Sequence, residues 1–222
     1  MNPKKLKERK ERGKKILKEL KKLFSETKTE LQYSNSWELL VAVILSAQCT
    51  DRRVNIVTEK LFKKYKKLDD YVCAKQSEFE KDIFSTGFYR NKAKNILSAA
   101  KIVKNNFGGR IPKTMEEILT IPGVARKTAN VVLGNAYGVV EGIAVDTHVK
   151  RFAQKFDLTD SKDPKKIEQD LMEIFPKKEW FTITYYLIEY GRKVCIARVH
   201  DCSAHPITKI YPKSAKIWPK SK

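Results

Sequence analysis

The 222-residue chain carries 46 Lys and Arg against 26 Asp and Glu, a formal net charge of +20, and is 41% hydrophobic and 10% aromatic. That is apolar matter enough for one large domain or two small ones, which excludes a disordered chain, while 9 Gly and 8 Pro argue against a loop-rich all-β design. The charge points to an anionic partner, nucleic acid first, although 36 of the 46 basic residues are Lys, an excess that genome base composition alone can produce.

Residues 4–24 read as one helix with Pro3 in its first turn and a sparse apolar stripe of Leu6, Ile16, Leu17, Leu20, Leu23 and Phe24. It is either a solvated face with a frayed start or a phosphate-seeking arm. Ser34, Asn35 or Ser36 can cap the next helix, whose Trp37–Leu45 run is apolar nearly all round and belongs in a core. Thr50 or Asp51 caps a helix to about Tyr65, and shorter helices follow near 69–74 and 77–85. A long helix over 89–106 stops at Gly108-Gly109. Residues 114–120 and 125–137 are two helices joined by a tight turn. Asp146 can cap a helix to about 156, Asp163 another to about 175, and an aromatic-rich helix spans about 178–193. The tail over 206–222, with three prolines, is expected to be loosely ordered.

The four cysteines do not read as a disulfide framework, and the start of the chain is too charged for a secretory signal. No run of about 18 apolar residues is present. The expectation from these features is a cytoplasmic protein with no membrane partner.

The most informative stretch is Leu119-Thr-Ile-Pro-Gly-Val-Ala-Arg-Lys-Thr-Ala-Asn130. Pro122 and Gly123 enforce a turn between two helices. The backbone amides that open the second helix have no acceptor inside it and, with the helix dipole, suit one DNA phosphate. Such a contact fixes register without reading sequence. This stretch resembles the helix–hairpin–helix of the endonuclease III family. Ile143-Ala-Val-Asp-Thr-His-Val149 resembles that family's catalytic-aspartate segment, and Leu45-Ser-Ala-Gln-Cys-Thr-Asp51 and Gly87-Phe-Tyr-Arg-Asn-Lys-Ala93 match two further segments in order. The resemblance runs from about residue 15 to 202.

That resemblance implies an all-α fold of two helical lobes with a DNA cleft between them. Residues 29–139 would form a six-helix lobe containing the hairpin (about 114–137), and 1–28 with 140–222 the second lobe. It implies a bifunctional DNA glycosylase and abasic-site lyase acting on double-stranded DNA with oxidised pyrimidines or abasic sites. Lys127 would be the nucleophile, its amine freed of its proton with help from a helix's first turn and from burial in the cleft. Asp146 would stabilise positive charge on the sugar or shuttle protons, and can at the same time be a plain N-cap. Gly123, Ala125, Arg126 and His148 would touch the DNA backbone, His148 being equally readable as a buried structural group. The family's hairpin usually has Gly where Ala125 stands. Gln48 and Phe88 would fill the gap left by a flipped base, with Phe88 standing where Leu is frequent. Two alternatives are a monofunctional glycosylase of the same superfamily, which the lysine at 127 opposes, and a non-catalytic DNA-binding module, which Lys127 and Asp146 together oppose.

Many family members hold a four-iron cluster with Cys spaced C-x6-C-x2-C-x5-C. The same spacing here gives Cys195, Cys202, His205 and Tyr211 across a degenerate loop, 195–211. The expectation is that the 4Fe-4S cluster is lost and that no metal binds. A zinc site from Cys195, Cys202, His205 and His200 is the alternative, on a spacing that is not a standard zinc pattern.

Overall fold

The computed structural model describes residues 2–25 and 27–217, so the last five residues of the predicted tail lie outside the described part. Among the described residues all regular structure is α-helix or short 3-10 turn, with no strand. The chain divides into two compact units, Thr29–Glu141 and Met1–Lys28 with Gly142–Lys222.

Helix α1 (Pro3–Leu23) begins with Asn2, whose side chain accepts from the Lys4 amide at 3.0 Å. Seven α-helices then build the middle unit, where six were expected: α2 (Ser36–Leu45), α3 (Asp51–Lys64), α4 (Leu68–Cys73), α5 (Gln76–Ile83), α6 (Tyr89–Phe107), α7 (Met115–Ile118) and α8 (Arg126–Tyr137). Of the candidate caps, Asn35 closes α2 by accepting from the Glu38 amide and Thr50 closes α3 by accepting from that of Arg53. Leu39 to Leu45 of α2 are all buried, as an all-round apolar helix requires. Tyr65, Tyr71 and Phe79 form an aromatic cluster with ring centroids 5.2–5.8 Å apart.

In the unit made by the chain ends, α9 (Thr147–Lys155), α10 (Pro164–Ile174), α11 (Trp180–Lys193) and α12 (Pro206–Ile210) join α1 around Leu20, Phe152, Phe156, Leu187 and Tyr190. The basic first helix is neither a frayed start nor a phosphate-seeking arm along its whole length. Arg9 is fully buried and donates to the carboxylates of Asp157 at 2.7 Å and Asp160 at 2.9 Å, and to the Asp157 carbonyl at 3.0 Å. Lys5 and Lys21 pair with Asp160 and Glu179. These contacts lie more than 140 residues apart in sequence, so no local pattern reveals them.

The tail is also ordered further than expected. Residues 206–210 form α12 and 212–216 a 3-10 turn. Two things hold them: Ile207 is fully buried, and the buried Lys155 ammonium donates to the carbonyls of Ser214 at 2.8 Å and Ile217 at 3.0 Å. Proline at 206 starts this helix rather than breaking one, since the first turn needs no proline N–H.

Candidate active site

The residues singled out from the sequence fall in both units. In the middle unit α7 ends at Ile118, and the turn closes through Val124 N–H to the Ile121 carbonyl at 3.1 Å. Gly123 has φ +82°, and a Cβ there would sit 3.0 Å from Asn95 Cβ. Glycine is therefore required both by the backbone and by the close approach of α6. Ala125 is the N-cap of α8 and contributes no side-chain cap, and its carbonyl accepts from Ala129 at 2.9 Å. A methyl cannot compete for the first-turn amides of α8, the end of a helix where amides suit an outside acceptor. Lys127 is exposed, so the burial expected of it is absent from the chain by itself.

Gln48 and Phe88 stand on two loops of the same unit, and both have left-handed backbones, at φ +52° and +48°. Such conformations cost non-glycine residues energy and collect at functional sites. Gln48 lies within the turn that follows α2, which Cys49 N–H closes by donating to the Ser46 carbonyl at 3.1 Å. Phe88 precedes α6 and is 61% exposed, which rules out core packing as its role.

Sequence reasoning missed Lys92. It is 4% exposed, and its ammonium donates to the carbonyls of Leu45 and Thr86, each at 2.8 Å. Leu45 is the last residue before the Gln48 loop, and Thr86 lies two residues before Phe88. One buried cation thus ties both loops together. Burial pulls its pKa down, with Cys49 opposing. A signal was present: Lys92 lies in register with the buried Ile96, Ala99 and Val103 of α6, a cation on the apolar face.

In the other unit Asp146 caps α9, its Oδ1 accepting from the Val149 amide at 2.8 Å. The half-buried His148 ring packs on Gly191 of α11 so closely that a Cβ at 191 would fall 2.2 Å from Nδ1. Arg151 donates to the carbonyls of Cys195 at 2.8 Å and Ile196 at 3.0 Å, bracing the loop after α11. Burial lowers the Arg151 pKa, and Cys195 and Asp146 among others act against that shift.

The degenerate loop does not offer a four-thiolate set. Cys195 and Cys202 are buried thiols, whereas the Tyr211 ring lies under the Arg12 guanidinium at 4.3 Å. The residues present do not fit a 4Fe-4S cluster held in the usual way by cysteine. They do bring a sulfur and two imidazoles together: the ligand atoms of Cys195, His200 and His205 all lie within 4.8 Å of one another. Burial raises the Cys195 thiol pKa, and burial with the neighbouring His200 and Lys155 lowers that of His205.

Residues 41–177 match the model of the HhH-GPD superfamily of base excision DNA repair proteins. The chain is 46% identical over 210 residues to the endonuclease III of Synechocystis sp., covering 95% of this chain and 96% of that one. It is 43% identical to the Bacillus subtilis endonuclease III over 87% of this chain and 89% of that one. The chain belongs to the endonuclease III family. Its fold matches a structure described as a trapped endonuclease III–DNA covalent intermediate, with a TM-score of 0.88 and 40% identity over 93% of this chain and 97% of that one. A non-covalent endonuclease III–DNA complex matches with the same TM-score, identity and coverage. A thermostable thymine-DNA glycosylase, at 22% identity and a TM-score of 0.79 over 93% of this chain and 98% of that one, shares the fold. No helix among the described residues is long and apolar enough to cross a membrane.

Proposed function

We propose that this endonuclease III family member is a DNA glycosylase and abasic-site lyase of base excision repair. On this reading it excises oxidised pyrimidines from double-stranded DNA and cuts 3′ to the abasic site. The observation that carries the reading is Lys127 in the first turn of α8, immediately behind the Gly123 turn. The neutral amine attacks C1′ of the sugar, the C1′–N bond breaks, and the base leaves with its electron pair and takes up a proton. The C1′–O4′ bond then opens to give a Schiff base on Lys127. The imine acidifies the C2′ proton; its removal sends electrons toward C3′, and the 3′ phosphate departs. Bound DNA supplies the exclusion of water that the exposed Lys127 lacks on its own.

Asp146 stabilises the positive charge that develops on the sugar, its carboxylate oriented by the cap to Val149. Amides near Gly123 and Ala125, with Arg126 and His148, hold phosphates, and Gln48 and Phe88 occupy the space vacated by the flipped base. This chemistry uses an amine and a carboxylate and draws on no iron, so the reading stands without a four-iron cluster. The enzyme works as a monomer in the cytoplasm on nucleoid DNA. Borohydride reduction on duplex DNA with one abasic site tests the proposal. Wild type should be trapped as a covalent complex and Lys127→Ala should not; an untrapped wild type would remove the lyase assignment.

A further inference from the structure

The loop after α11 closes on itself before α12 begins. The Cys195 amide donates to the Tyr190 carbonyl at 2.8 Å, anchoring the loop's start, and His205 is the N-cap of α12, anchoring its end. Between these anchors the Sγ of Cys195 and ring nitrogens of His200 and His205 lie within 4.8 Å of one another, with the two imidazole centroids 5.1 Å apart. Ligand atoms around a tetrahedral zinc, at 2.0–2.3 Å from the metal, stand roughly 3.5 Å from each other. The three are therefore already gathered to within small side-chain rotations of that spacing.

Two further observations point to a ligand. His200 Nδ1 lies 2.7 Å from the Arg198 carbonyl, a contact that places the ring proton on Nδ1 and the lone pair on Nε2, as the outer partner of a metal-bound histidine does. The buried His205 Nδ1 has no hydrogen-bond partner among the described residues, although an unmet polar atom of this kind is costly. Cys202, 1% exposed, lies in the same loop three residues before His205.

We propose that Cys195, His200 and His205, completed by Cys202, bind one zinc ion that cross-links the loop 195–205. The order C-x4-H-x-C-x2-H is not a standard zinc spacing, but the loop's own anchors, rather than sequence distance, gather the ligands. Two thiolates and two neutral imidazoles make the zinc complex electrically neutral, so it suits a partly buried site. Four protein ligands leave no open position, which makes the ion structural and separates it from the chemistry at Lys127.

The test is metal analysis of the untagged full-length chain purified without added metal. About one zinc per chain is expected, with neither iron nor acid-labile sulfide. Chelation should lower the melting temperature and zinc should restore it. Cobalt in place of zinc should give the thiolate charge-transfer band and the strong visible bands of a tetrahedral sulfur site. Cys195→Ser and His205→Ala should each weaken zinc binding at least about tenfold, while Cys73→Ser, at an exposed thiol in the other unit, should keep it. A brown protein with iron and sulfide would overturn the proposal. So would a metal-free chain whose melting temperature ignores zinc.

Discussion

The Lys92 ammonium stands 2.8 Å from the carbonyl oxygen of Leu45, and the same group reaches the Thr86 carbonyl at an equal distance. Both acceptors are main-chain atoms at the roots of loops that carry an exposed residue in a left-handed conformation, Gln48 or Phe88. Lys92→Met keeps the apolar stem and removes the donor, stranding buried carbonyls. It should destabilise the fold by about 1–3 kcal/mol in urea denaturation. As a positioning residue it should also weaken binding to abasic-site duplex, while the rate of borohydride trapping at saturating protein stays near wild type. Unchanged duplex affinity in a measurably destabilised Lys92→Met would leave Lys92 a purely structural group.

Phe88 separates binding from stability in the opposite sense. Its ring is 61% exposed, so Phe88→Ala should change folding free energy by no more than about 0.5 kcal/mol. If the ring stacks in the gap left by a flipped base, its loss removes about 1–3 kcal/mol of stacking. Affinity for duplex containing a damaged base should then fall roughly tenfold or more. Titration by fluorescence anisotropy measures this, and an affinity equal to wild type would take Phe88 out of the interface.

What the sequence disclosed depended on how local the cause was. The α2 and α3 caps, the core helix α2 and the hairpin turn follow from residues within a turn of one another, and each was readable. Asp146 as an N-cap was readable for the same reason. The buried Arg9 was not, because its partners lie 148 and 151 residues away and a charged residue is assigned to the surface until its acceptor is known; Lys92 left a local signal only as a cation on the apolar face of α6, and one of its two acceptors lies 47 residues away. The tail was misjudged similarly: three prolines suggested loose chain, while Lys155, far upstream, holds the carbonyls of Ser214 and Ile217. Cys195, His200 and His205 were already named with Cys202 as the zinc alternative, but only the loop's closure brings their ligand atoms within 4.8 Å of one another.

Gly123→Ala puts a methyl where φ is +82° and Asn95 Cβ is 3.0 Å away. The left-handed backbone alone should cost about 1–2 kcal/mol, and α6 must give way as well. Relaxation of the turn would tilt the first-turn amides of α8 away from a phosphate. The expected result is a lower melting temperature together with weaker binding to undamaged duplex, accompanied by a shallower dependence of affinity on salt as one phosphate contact is lost. A salt slope identical to wild type would show that the hairpin holds no phosphate.

The first helix makes a prediction about acid. Lys5, through its hydrogen bond, and then Arg9 hold the Asp160 carboxyl below its usual value of 3.8. A carboxyl depressed in the folded state contributes stability that is fully present above the unfolded value and is lost as pH falls through the folded one. Asp160 is 66% exposed, so water and salt screen much of the attraction and the contribution is small. Asp160→Asn should therefore lower the melting temperature slightly at neutral pH, and the difference from wild type should shrink as pH drops below about 4. Added salt should shrink it too. Arg9, fully buried with Asp157 on its other side, should behave differently. Arg9→Met leaves Asp157 with the less buried Arg12 alone and removes the Asp160 contact as well, and should cost several times more than Asp160→Asn. Thermal melts of both variants across this pH range decide the matter: equal losses would mean that the surface carboxylate, rather than the buried pair with Asp157, fastens α1 to the end of α9.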